Sequence, residues 1–116
     1  MTAPIVIAEA GVNHNGDLAR ALEMVTAAAE AGADYVKFQA FSAGALVTHD
    51  ARTAAYQQNN TGESSQAALL RNLELSSDEF ATLAAACRTA KIGFMASVFD
   101  LAQLDALIAL GMDRLK

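Results

Sequence analysis

Short apolar runs alternate with longer stretches of helical periodicity along this chain. Ile5-Val6-Ile7-Ala8 is apolar without alternation, the pattern of a strand buried on both faces in a parallel sheet. Glu9-Ala10-Gly11-Val12-Asn13-His14-Asn15-Gly16 closes it with a Gly- and Asn-rich loop. Asp17 stands where a helix N-cap belongs, and residues 18–31 are alanine-rich with Leu22, Val25 and Ala29 at helical spacing. Gly32 supplies the stop. Residues 34–39 read as a second strand, giving β-α-β with short connections and hence a parallel crossover.

Residues 42–75 break the rhythm. They are polar, with a moderate helical signal over 65–72, and a connection of that length in a compact domain points to a functional insertion. Regularity resumes with Ser76 or Ser77 opening a helix over 78–90, Glu79 standing nearby. Ile92-Gly93-Phe94-Met95-Ala96-Ser97 predicts strand three, and residues 101–110, stopped by Gly111, helix three. Arg114-Leu115-Lys116 reads as the opening of strand four. Repeated βα units imply an α/β protein with a parallel sheet, either doubly wound or a (β/α)8 barrel. A barrel needs roughly 250 residues. The 116 residues are therefore expected to be a single partial domain, the N-terminal half of a barrel truncated near strand four.

Composition narrows the function classes. Hydrophobic residues make up 53% and charged ones 18%, which argues against disorder. A net charge of −5 makes nucleic acid and anionic membranes poor partners, while leaving an anionic small molecule open. No run reaches the roughly 18 to 20 apolar residues of a membrane span. Cys87 is the only cysteine, so no internal disulfide forms, and a cytoplasmic location fits.

In parallel α/β folds, chemistry gathers at the C-terminal ends of strands. Glu9 ends strand one; it is either an exposed loop carboxylate or a group facing a cation or ligand. Tyr35, Lys37 and Gln39 share one face of strand two and Val36 and Phe38 the other, so in a barrel Lys37 points inward. An inward lysine needs a counter-charge, from Glu9 or from a bound anion. Ser97, at the end of strand three, could bind phosphate or cap the next helix, and Lys116 stands on the expected strand four. His14 and His49 have no partner at ligand spacing, so no metal site is read from this chain. Cys87 lies within a helical pattern as a buried, inert thiol.

Two stretches, Ile7-Ala8-Glu9-Ala10-Gly11-Val12-Asn13-His14-Asn15-Gly16 and Ala31-Gly32-Ala33-Asp34-Tyr35-Val36-Lys37-Phe38-Gln39, carry a resemblance. With Tyr56-Gln57, Asn60-Thr61 and Leu73-Glu74-Leu75-Ser76, they resemble the N-acetylneuraminate synthase family, in its sialic and legionaminic branches. The resemblance implies an enzyme that joins phosphoenolpyruvate to the open-chain aldehyde of an N-acylated amino sugar, with release of phosphate. It implies a divalent metal, commonly manganese, which polarises the aldehyde and is bound by residues outside this chain. Lys37 and Lys116 would bind the anionic groups of phosphoenolpyruvate. Glu9 would be catalytic at the aldehyde. Gln39 and Asn60 would hold the sugar, and Ser97 and Phe99 would border the pocket. Asn13 and His14 would shape the loop beneath it.

The family's Ser-Thr-Pro-Phe type sequence reads Ala96-Ser97-Val98-Phe99 here, without the proline. The second half of the barrel and a C-terminal antifreeze-like domain, which serves the partner's site in a homodimer, are absent from the sequence. The fragment is expected to be inactive alone. Two other readings are another phosphoenolpyruvate-using or aldolase-type barrel, and a non-catalytic half-barrel that self-associates.

Overall fold

The structure, a computed structural model, describes residues 3–41 and 70–116. Its elements are β1 (Ile7–Gly11), α1 (Leu18–Glu30), β2 (Tyr35–Ala40), α2 (Ser77–Ala90), β3 (Gly93–Val98) and α3 (Leu101–Ala109). Most of residues 42–75, including Asn60 and His49, lies outside the described residues. The described end of the helical signal there, residues 70–73, is helical.

The helix ends form where the sequence places them. Asp17 caps α1 by accepting from the backbone N–H groups of Ala19 and Arg20. Gly32 follows α1 at φ +86, a left-handed conformation that glycine adopts without steric cost. Ser76 and Glu79 form a reciprocal capping box on α2: the Ser76 hydroxyl accepts from Glu79 N–H, and the Glu79 carboxylate accepts from Ser76 N–H. Asp100, not Ser97, caps α3, its carboxylate accepting from Gln103 N–H at 2.8 Å. Of the two roles open to Ser97, helix capping is therefore already taken by Asp100.

The strands are parallel in the order β1-β2-β3. Register sets Ala8 beside Val36 and Val36 beside Phe94, then Phe38 beside Ala96. These residues share the face that packs on Val25 and Ala28 of α1, Phe80 and Leu83 of α2 and Leu107 of α3 in one continuous core. Phe38 and Leu83 are wholly buried. At about 25 cal/mol per Å² of apolar area, this single core is the main force holding the helices to the sheet. Among the described residues α1, α2 and α3 cover the same face, which decides between the two architectures left open: a doubly wound sheet carries helices on both faces, a barrel on one.

Two expectations are corrected. Ile5 and Val6 precede β1, and Ile5, Val6 and Ile7 are 48%, 52% and 44% exposed rather than buried on both sides, because among the described residues β1 lies at the edge of the sheet and helices cover one face. Arg114, Leu115 and Lys116 do not form a strand, and among the described residues the sheet ends at β3. Met112 is buried in the core, and the residues after it are tied by side chains rather than by a backbone ladder.

Candidate functional site

The face away from the helices carries the polar residues. Its rows, read from register, are Ile7, Tyr35 and Gly93; then Glu9, Lys37 and Met95; then Gln39 with Ser97 at the C-terminal ends of β2 and β3. The alternation of β2 is thus realised: Val36 and Phe38 face the helices, and Tyr35, Lys37 and Gln39 face what is the interior of a barrel.

Lys37 Nζ and Glu9 Oε2 form an ion pair at 2.7 Å. The lysine side chain is 11% exposed and the glutamate 50%, so the cation is sunk in the sheet while the carboxylate reaches solvent. The hydrogen bond to Glu9 holds the Lys37 ammonium above its usual range, and burial opposes this. A pair with one end in water contributes at most about 1 kcal/mol to stability. Its chemical consequence is larger. Lys37 stays a fixed positive charge on the inner face, with Glu9 as its counter-ion.

Gly11 closes this corner. β1 is irregular between Glu9 and Gly11, and Gly11 has φ +58. A methyl group there would stand 3.1 Å from Glu9 Oε1 and 3.9 Å from Gln39 Nε2, so the bare Cα leaves room for both side chains to converge. The loop beyond is built around His14, which is fully buried. Its Nδ1 accepts from Gly16 N–H at 2.9 Å, which puts the ring proton on Nε2. Nε2 is buried and finds no partner among the described residues, and desolvation lowers the pKa of the ring. His14 is therefore a neutral loop organiser packed near Phe38, as expected, and not an exposed base.

The predicted site residues divide as follows. Glu9, Lys37, Gln39 and Ser97 come together on one face in adjacent rows. Phe99 lies two residues beyond Ser97, just past β3, and is 54% exposed. Lys116 is not on a fourth strand and is exposed. Asn60 lies outside the described residues. Tyr35 and Arg114, which sequence reasoning left without a role, also meet on this face. Arg114 Nε donates to the Tyr35 hydroxyl at 2.8 Å, with its guanidinium over the Tyr35 ring.

A groove of about 290 Å³ between β1 and α1 is no rival site. It lies on the helix side among Ala8, Ala10, Met24, Ala28 and Val36, and the one charged residue at its rim, Glu9, is held by Lys37. It lacks the convergent polar groups that orient a polar substrate. The described residues do not fit a metal centre: no three His, Cys, Asp or Glu side chains gather among them, and the Glu9 carboxylate is neutralised by Lys37. None of their helices is long and apolar enough to cross a membrane.

Comparison with known proteins agrees with this geometry. The chain is 51% identical over 112 residues to the N,N'-diacetyllegionaminic acid synthase of Legionella pneumophila, covering 96% of this chain and 32% of that protein. It is 40% identical to the Campylobacter jejuni enzyme of the same name, covering 97% of this chain and 34% of that one. Its fold superposes on the N-acetylneuraminic acid synthetase of Leptospira borgpetersenii, solved with citrate, at a TM-score of 0.74 and 32% identity, over 97% of this chain and 35% of that one. The spore coat polysaccharide biosynthesis protein SpsE of Bacillus subtilis gives a TM-score of 0.68 at 32% identity, over 99% of this chain and 29% of that one. The chain thus spans about a third of the length of these two synthases. The NeuB family model matches residues 24–116, which include β2 with Lys37 and Gln39, and β3 with Ser97, and the chain belongs to the NeuB family.

Proposed function

We propose that the protein carrying this chain is a nonulosonic acid synthase, which condenses phosphoenolpyruvate with an N-acylated, mannosamine-type sugar and releases phosphate. The observation that supports it is the inner-face cluster of Lys37, Glu9, Gln39 and Ser97 at the C-terminal strand ends of a NeuB-family chain.

In this reading Lys37, with Lys116, binds the carboxylate or phosphate of phosphoenolpyruvate as a point charge, and the arriving anion displaces Glu9. Released from Lys37, Glu9 faces the reacting aldehyde, where it accepts or returns a proton. Gln39 and Asn60 hydrogen-bond the sugar, and Ser97 and Phe99 border it. Carbon three of phosphoenolpyruvate bonds to the aldehyde carbon, whose oxygen takes up a proton. Water adds at carbon two, and phosphate leaves with its bridging oxygen as the carbon–oxygen bond breaks. The divalent metal of this reading, manganese by resemblance, sits on residues outside this chain. The protein would work as a cytoplasmic homodimer, and the 116-residue chain alone would not turn over.

The test uses the full-length protein with N-acetylmannosamine and phosphoenolpyruvate labelled with ¹⁸O in the bridging position. Label recovered in inorganic phosphate, with a rate lowered at least about 100-fold by Lys37→Met, supports the proposal. Unlabelled phosphate, or turnover indifferent to Lys37→Met, removes it. Turnover with an unrelated aldehyde but no N-acylated amino sugar would instead favour a different phosphoenolpyruvate-using barrel.

A further inference from the structure

β1 does not end as a plain strand. Its pairing with β2 runs Ile7 with Tyr35, Ala8 with Val36 and Glu9 with Lys37, then skips Ala10 and sets Gly11 beside Phe38. The extra residue is a bulge, which re-aims the chain at a strand end. Ala10 stays in the core under the helices, and Gly11 takes φ +58. In that conformation a Cβ on residue 11 would point into the inner face, toward Glu9 and Gln39.

The two oxygens of the Glu9 carboxylate have different surroundings. Oε2 is 2.7 Å from Lys37 Nζ. Oε1 lies on the Gly11 side, 3.1 Å from where a Cβ would stand. That is shorter than ordinary van der Waals contact, so one member must give. Gln39 Nε2, at 3.9 Å, is at ordinary contact and can stay. The bulge fixes the backbone of Gly11, whereas Glu9 is a half-exposed side chain with several free torsions. The carboxylate would therefore turn. Its two oxygens share one rigid plane, so moving Oε1 also moves Oε2 against Lys37. Lys37, 11% exposed and set in the sheet, has little room to follow.

We propose that Gly11 is a positioning residue for Glu9: the bulge and the missing side chain give Oε1 the space that keeps Oε2 on Lys37, and so set the carboxylate for its part in the reaction. Gly11 itself touches no reacting atom. The setting of the carboxylate stands apart from the chemistry; its catalytic use rests on the function proposed above.

Two readouts in the full-length protein separate these claims. The first needs no substrate: a pulse of acetic anhydride, with mass spectrometry comparing acetylation of Lys37 with that of exposed Lys91. Glu9→Ala removes the ion pair and should raise the relative reactivity of Lys37 roughly tenfold, the change in free amine for one pKa unit. Gly11→Ala should raise it about threefold, and should add nothing in the Glu9→Ala background, where no carboxylate is left to push. Gly11→Asn accepts the positive φ but carries the same Cβ, so it should behave as Gly11→Ala and serves if that variant fails to fold. Gly32→Ala, with φ +86 and nothing within 4 Å of its Cβ, should match wild type. The second readout is kinetic. Both position-11 variants should lower kcat about tenfold, with KM for phosphoenolpyruvate within about twofold.

Lys37 reactivity unchanged in both position-11 variants overturns the proposal. So does wild-type behaviour of Gly11→Asn, because backbone strain and not the Cβ would then be the cause. An additive effect of Gly11→Ala on Glu9→Ala, or a raised KM with kcat unmoved, overturns it as well. The expected Lys37 pattern in a protein whose wild type does not consume phosphoenolpyruvate leaves the positioning role standing and removes the proposed function instead.

Discussion

Gly16 offers a test of how the loop after β1 is held. It has φ +76, and a Cβ there would lie on the carbonyl of Asn72, 2.9 Å from its carbon and closer still to its oxygen. The obstacle is backbone, so no rotamer change can relieve it. Gly32 is the control: its φ is +86, and nothing lies within 4 Å of an added Cβ. Gly32→Ala should therefore cost only the left-handed conformation, roughly 1 kcal/mol. Gly16→Ala adds the displacement of Asn72, about 1–3 kcal/mol more by analogy with overpacked sites. At about 2–4 °C per kcal/mol for a barrel-sized domain, thermal unfolding of the full-length protein should drop by roughly 2–4 °C for Gly32→Ala and visibly more for Gly16→Ala. Asparagine sharpens the comparison, because it tolerates a positive φ but still carries a Cβ. Gly32→Asn should regain most of the lost stability, and Gly16→Asn should not. Equal losses at the two sites, or recovery by Gly16→Asn, would refute the claim that the backbone of residue 72 packs against this loop.

Three further outcomes follow from the same geometry. Burial lowers the pKa of His14, so the folded state binds fewer protons than the unfolded one; the stability it protects is full above the unfolded value near 6.5 and is lost as pH falls from there toward the folded pKa. Denaturation midpoints measured from pH 8 to 5 should fall, and His14→Gln should flatten that part of the profile at some cost in stability at pH 8. Burial pushes the Cys87 thiol up to about 11, so a maleimide at pH 7.5 should label it far more slowly in the native protein than in denaturant; equal rates would mean that the α2 face is not packed as described. Ser76→Ala breaks the capping box of α2 and should cost about 1 kcal/mol in denaturant unfolding, with Ser76→Thr close to wild type.

Much of this architecture was legible without coordinates. Asp17, Ser76 with Glu79, Gly32 and Gly111 mark the helix ends through local hydrogen bonding and backbone freedom, which depend on few neighbours. The two-residue alternation of β2 separated Lys37 and Gln39 from Val36 and Phe38, because strand geometry alone sends them to opposite faces. Glu9 and Ser97 could be named as strand-end residues for the same reason. What the sequence by itself determined is this local grammar, and with it the list of polar groups on one side of a parallel sheet. The tertiary structure decided the rest, because it depends on which elements meet. Among the described residues it put α1, α2 and α3 on one face, left Ile5 to Ile7 exposed at the edge of the sheet, and gave the capping of α3 to Asp100 rather than Ser97. It also replaced an expected fourth strand by side-chain ties, joining Arg114 and Asp113 to Tyr35 across nearly eighty residues of chain. No local rule reaches that far, since such contacts are chosen by the packing of the whole sheet against its helices.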